Sequence, residues 1–193
     1  MEVGTKRGLA TVRYIFDGAA SRFTVQAFAT GLLYAFGHNP TIALRDYEGE
    51  VQFVPDTYEK ASVRFALKTS TLEVLDELKR DDREKLERVM YEDVLDTAHF
   101  PDAVFESQQV SVQKIASALL QVSVTGSLTL RGVTRNHSFE ARVQDLGSTL
   151  RIAGNFSLNQ SDYGIKAVSF AGGALRLKDE LKFSFDVIAR FQE

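Results

Sequence analysis

Through most of this chain apolar residues recur at every second position, and that period of two constrains the fold more than any other feature. Phe23, Val25, Ala27 and Ala29 alternate within 21–29, and Val63, Phe65 and Leu67 within 61–67. Leu120, Val122, Val124, Leu128 and Leu130 share one parity, with Gly126 between them. Phe139, Ala141 and Val143 follow, then Leu150, Ile152, Phe156 and Leu158, and last Leu181, Phe183, Phe185 and Val187. Successive side chains of a strand point to opposite faces, so each run carries one apolar and one polar face. Antiparallel sheets with one face in water have this pattern. Asp17-Gly18, Gly37-His38-Asn39-Pro40, Glu48-Gly49, Arg131-Gly132, Gly147-Ser148 and Gly172-Gly173 break the runs at short intervals. Many strands at close spacing point to a barrel or a sandwich.

Two segments depart from this period. Asp76 to Asp96 reads as the one long helix, a helical insertion over about 76–97, with Leu86, Val89, Met90 and Val94 at helical spacing as a buried stripe. Asp81 and Asp82 near its start suit the positive end of the helix dipole. Thr30 to Phe36 is short and apolar and reads as one helical turn. With no repeat and no linker, residues 1–193 are expected to form a single domain of eight or more strands and one helix. Hydrophobic residues at 44% and charged residues at 25% are enough to build a core without staples.

The composition excludes several functions. Without cysteine there are no disulfides, thiolate metal sites or cysteine nucleophiles. A net charge of -3 supplies no basic field for nucleic acid. No stretch approaches the ~18 apolar residues of a membrane-spanning helix. Arg13 interrupts the first apolar run too early for a signal peptide, which sets a cytoplasmic expectation. Neither G-x-S-x-G nor a phosphate-binding glycine loop occurs, and no cofactor motif is found.

His38, His99 and His137 lack a short metal-ligand spacing, so no metal is expected. His38, in a turn, makes either a local hydrogen bond or a polar contact to a ligand head group. His99 caps or packs after the helix. His137 shares its parity with Phe139 and reads as a hydrogen-bonded core histidine. Asn159 to Gly164 reads as a turn in which polar side chains bond to the backbone. Arg131 to Arg135 reads as a hairpin with solvated charges, and Gly172-Gly173 as a flexible loop.

Four stretches resemble the YceI-like family. Ser21-Arg22-Phe23-Thr24-Val25, followed by Ala35-Phe36-Gly37-His38 and Asp46-Tyr47-Glu48-Gly49-Glu50-Val51, is similar to its opening hairpin. Met90 through Ser107, containing Val94-Leu95-Asp96 and then Phe100-Pro101-Asp102-Ala103-Val104-Phe105-Glu106-Ser107, is similar to its "L-d-x-x-x-y-P-x-a-x-F-x-S" after its single helix. Val124-Thr125-Gly126-Ser127-Leu128-Thr129-Leu130-Arg131-Gly132-Val133-Thr134-Arg135 is similar to its "V-x-G-x-L-T-i-R-G-V-T-k". Leu158 to Ile165 is similar to "i-x-R-s-d-f-G-I". The chain departs from the pattern at Asn136-His137, where proline commonly follows the third motif, and at Gln160, where arginine is common.

This resemblance implies an all-β fold with one helix, an extended antiparallel lipocalin-like β-barrel of about eight strands around an apolar tunnel. It also implies binding, carriage or sequestration of a polyisoprenoid, an isoprenoid quinone or a fatty-acid-like lipid, without catalysis. Phe23, Val25, Phe36, His38, Phe65, Leu67, Leu120, Val122, Val124, Phe156, Phe183 and Phe185 are the expected ligand-binding residues. One alternative is an interaction module whose barrel is filled by its own side chains. Another is an enzyme for an apolar substrate, with His38 or His137 as acid or base. Side-by-side homodimerisation is compatible with a barrel of this type.

Overall fold

The computed structural model describes residues 10–30, 39–166, 169–170 and 175–193. Among them the strands are β1 (Val12–Phe16), β2 (Arg22–Gln26), β3 (Ala29–Thr30), β4 (Thr41–Leu44), β5 (Tyr47–Phe53), β6 (Ser62–Lys68), β7 (Leu72–Val74), β8 (Asp102–Ala116), β9 (Leu119–Leu130), β10 (Val133–Asp145), β11 (Thr149–Asn159), β12 (Ser169–Phe170), β13 (Leu175–Leu177) and β14 (Glu180–Gln192). The α-helix α1 spans Arg80–Val89. Eight strands close an antiparallel barrel in the order β1-β5-β6-β8-β9-β10-β11-β14, with β14 returning to β1. The sheet also continues from β14 into β2, β4 and β7, and a small separate sheet holds β12, β13 and β3.

β14 serves two partners along one edge. Its residues 189–192 pair with β1 and its residues 182–186 with β2. Between β1 and β2 lies a 3-10 turn, Gly18–Ala20, whose N-cap Asp17 accepts from the Ala20 N–H at 3.1 Å. The Ile188 N–H falls between the two ladders and donates to Ser21 Oγ at 2.9 Å, so no backbone donor is orphaned there. Arg190 Nε donates to the free carboxylate oxygen of Asp17 at 2.7 Å.

The inward faces form two main apolar clusters. One surrounds Val25, Leu67, Leu72, Met90, Leu158 and Ile165 at the helix end. The other surrounds Tyr14, Phe53, Leu120, Val122, Val143 and Leu150 at the opposite end. A Cβ on Gly49 would lie 2.1 Å from the Phe16 ring, and one on Gly126 only 2.7 Å from Phe105 Cζ. A Cβ on Gly154 would likewise fall 2.6 Å from Phe185 Cζ. At each of these positions a phenylalanine ring rests against bare backbone, which no other residue type permits.

The helix is shorter than its sequence pattern suggests. It begins at Arg80 rather than Asp76, and a π-helical turn, Met90–Val94, extends it. Asp76 Oδ2 accepts from the Thr41 N–H at 2.8 Å, and Arg83 donates to the carbonyls of Val74 and Asp76. The segment before the helix is thereby held extended against β4. Asp81 and Asp82 occupy the first turn, as the dipole argument requires. Thr30, read from sequence as part of a helical turn, is extended and pairs with Arg176, while residues 31–36 lie outside the described residues. Gly172-Gly173 lies outside them as well.

β8 carries an irregularity that the period of two hides. Its inward residues are Ala103 and Phe105, then Val110 and Val112, because the register shifts between Ser107 and Gln109. Such a bulge moves every later side chain to the other face. Outside the barrel, Arg13–Glu50, Lys68–Asp102 and Arg151–Asp186 pair across strands. These pairs are exposed and contribute little each.

Candidate ligand-binding cavity

The inward faces enclose a cavity of about 270 Å³. It runs from Leu86, Val89 and Met90 at the helix end to Tyr58, Ala61 and Asp145 at the opposite end. Phe23, Val25, Phe65, Leu67, Leu120, Val122, Val124, Phe156, Phe183 and Phe185 all line it. Phe36 and His38, the remaining expected site residues, lie outside the described residues.

An aromatic belt crosses the middle of the cavity. Phe156 stacks on Phe183 with ring centroids 4.7 Å apart and planes 2° from parallel. Phe23 meets Phe185 at 5.6 Å, and on its other side it reaches Phe65 at 5.2 Å. β2 and β6 are not neighbours in the sheet, so the Phe23–Phe65 contact spans the lumen. Phe139 joins the belt through Phe156 at 5.7 Å and Phe105 at 5.4 Å.

Polar groups are few in this lining, and Thr69, Gln160 and Asp145 are already engaged. Thr69 Oγ1 donates to the Phe100 carbonyl at 2.8 Å. Gln160 Nε2 donates to the Lys178 carbonyl at 2.9 Å, and Asp145 Oδ1 accepts from the Gly147 N–H at 2.9 Å. His137 differs from them. Its ring meets Phe156 edge-on at 5.0 Å, and its fully enclosed Nε2 has no hydrogen-bond partner among the described residues. The sequence suggested a hydrogen-bonded core histidine, and the structure corrects that. Inward parity carried His137 among phenylalanines, where its Nε2 meets no acceptor or donor among the described residues. Burial lowers its pKa below the ordinary histidine value, so the neutral imidazole is favoured.

The other motifs have structural roles. Asn159 to Gly164 contains a 3-10 turn, Gln160–Tyr163, closed by Gly164 in the left-handed region at φ 69°. Ser161 N and Oγ both donate to the Asp179 carboxylate. Arg131 and Arg135 are not simply solvated: they donate to the carbonyls of Gly164 and Asp162 at 3.0 Å each, clamping this turn over the barrel end. His99 bonds to Asp96 at 2.7 Å just past the helix. No group of three or more metal-ligating side chains occurs among the described residues, and no described helix is long and apolar enough to cross a membrane.

Several lining residues were not singled out from sequence. Phe16 and Phe53 sit on strands whose alternation is short. Val110 and Val112 are concealed by the β8 bulge. Phe139 and Val143 follow the period of two, and that signal alone could have placed them on the lumen.

Comparison with known proteins agrees with this architecture. Residues 14–189 match the family described as YceI-like domain. BcnA of Burkholderia cenocepacia superposes with a TM-score of 0.68 at 17% identity, over 90% of this chain and 98% of that one. A polyisoprenoid binding domain from Saccharophagus degradans, implicated in plant cell wall breakdown, gives a TM-score of 0.66 at 14% identity, over 95% and 99%. The YceI protein of Campylobacter jejuni gives 0.63 at 17% identity, over 81% and 88%. No curated protein matches the sequence.

Proposed function

This chain belongs to the YceI-like domain family, and from that premise we propose that it is a binding protein, not an enzyme, which carries an apolar chain molecule inside its barrel. The observation that carries this reading is the apolar cavity running between the two ends of the barrel. Each methylene taken from water into such a lining contributes about 0.8 kcal/mol, so a long chain is held without a strong polar contact. The aromatic belt supplies flat, rigid surfaces for an unsaturated or branched chain. A polyisoprenoid, an isoprenoid quinone and a fatty-acid-like lipid all fit this chemistry, and the fold shared with a polyisoprenoid binding domain favours the first.

The test is native purification followed by organic extraction and mass spectrometry. A stoichiometric isoprenoid, quinone or acyl lipid supports the proposal and names the ligand class. A blank that persists after incubation with candidate lipids overturns it and favours a barrel filled by its own side chains.

A further inference from the structure

His137 is a costly residue to place in this wall. A buried polar group without a hydrogen bond is destabilising relative to one that is satisfied. Along this face of β10, Val133 packs in the helix-end cluster and Phe139, Ala141 and Val143 line the cavity, while Arg135, the position before His137 on that face, is exposed and donates to the Asp162 carbonyl. Thr69, Gln160 and Asp145 in the same lining have partners on the protein itself, whereas the His137 Nε2 has none. Arg131 Nε and Tyr47 Oη are enclosed as well, but neither residue borders the cavity. His137 is therefore a cavity-lining group with unused hydrogen-bonding capacity.

Resting on the binding reading above, we propose that His137 is the specificity residue of the cavity, forming a hydrogen bond to an uncharged oxygen, hydroxyl or carbonyl, carried by the apolar ligand. The neutral imidazole has one donor and one acceptor nitrogen, so it can bond either oxygen type. A half-turn about Cβ–Cγ exchanges Nε2 with Cε1 while keeping the ring outline, since this torsion is broad and two-fold. Either ring edge can thus carry the nitrogen while the contact with Phe156 is kept. No cationic side chain borders the cavity among the described residues, and the nearby Arg131 and Arg135 donate to the carbonyls of Gly164 and Asp162 outside it, so a charged head group meets no counter-ion in the lining itself. Sites built to hydrogen-bond a ligand oxygen discriminate against analogues that lack it, because the polar group is then left unpaired.

The experiment offers the full-length protein an equimolar mixture of hexadecanol and hexadecane. The protein is then separated from free lipid, and the bound ratio is measured by gas chromatography. Wild type, H137L and H137Q are compared under identical conditions, which cancels the difference in solubility between the two probes. The expected result is an alcohol-to-alkane ratio about tenfold higher in wild type than in H137L, with H137Q recovering part of it. Equal ratios in wild type and H137L, with both lipids bound, overturn the role of His137 and leave the carrier reading intact; a trapped water would then satisfy the nitrogen. Failure of wild type to bind either lipid removes the carrier reading itself, and this inference with it. Should H137L not fold, nitrogen NMR of wild-type His137 decides the matter: a shift on adding the alcohol but not the alkane supports the contact, and no shift with the alcohol bound overturns it.

Discussion

Replacing Phe156 by alanine tests whether the aromatic belt sets the cavity. The ring stacks on Phe183 at 4.7 Å and meets His137 edge-on at 5.0 Å and Phe23 edge-on at 6.4 Å. Burying a phenylalanine side chain contributes about 1.5–3 kcal/mol, and well-oriented ring pairs add about 0.5–1.5 kcal/mol each. The ring borders a lumen that is already open, so its removal enlarges existing space without creating a sealed void. The cost should therefore lie near the lower edge of the ~3–5 kcal/mol range for buried phenylalanine to alanine, at about 3 kcal/mol. Urea unfolding of ligand-free wild type and variant measures it, with the m value as a check on the denatured state. A bound chain should stabilise both proteins, by about 2.7 kcal/mol at a hundredfold excess over Kd. A loss below about 1 kcal/mol at unchanged m would refute the argument, since a surface-like cost means the ring is not a packed wall element.

Two further outcomes follow from the same geometry. Burial lowers the His137 pKa, so as pH falls the unfolded chain takes up the proton first. Stability is then full above the ordinary histidine value of about 6.5, declines below it, and levels off once the folded histidine is also protonated. H137L should flatten that part of the profile, as read from urea midpoints between about pH 8 and about pH 5. Gly126→Ala would place a Cβ 2.3 Å from the Glu106 carbonyl oxygen and should cost about 1–3 kcal/mol in thermal or urea unfolding. Gly18→Ala, whose Cβ meets nothing within 4 Å, is the neutral control.

The lumen was legible in the sequence wherever alternation ran unbroken. Leu120, Val122 and Val124 announce the inward face of β9, as Phe183 and Phe185 do for β14. β8 was harder to read because one extra residue near Gln109 inverts its parity midway, and a bulge leaves no compositional mark. The helix start was misplaced by several residues because Asp76 and Arg83 spend their hydrogen bonds on an extended connection. His137 was recognised as inward from its parity, but its missing partner was not visible. The environment of an inward polar side chain is set by strands distant in sequence, here Phe156 on β11. Barrel closure was likewise invisible, because it depends on a long-range pairing.

That pairing bears on how the chain reaches its folded state. Arg190 and Asp17 lie 173 positions apart, yet they meet where β14 joins β1 and β2. Contacts this distant must meet their loop-closure entropy before they return any stabilisation, which makes them late and slow to form. During synthesis β1 and β2 emerge well before β14, and the edges that will meet it stay unpaired in the meantime. Any condition that delays β14 thus prolongs an open sheet with a greasy inner face, the state most exposed to misassociation with another copy.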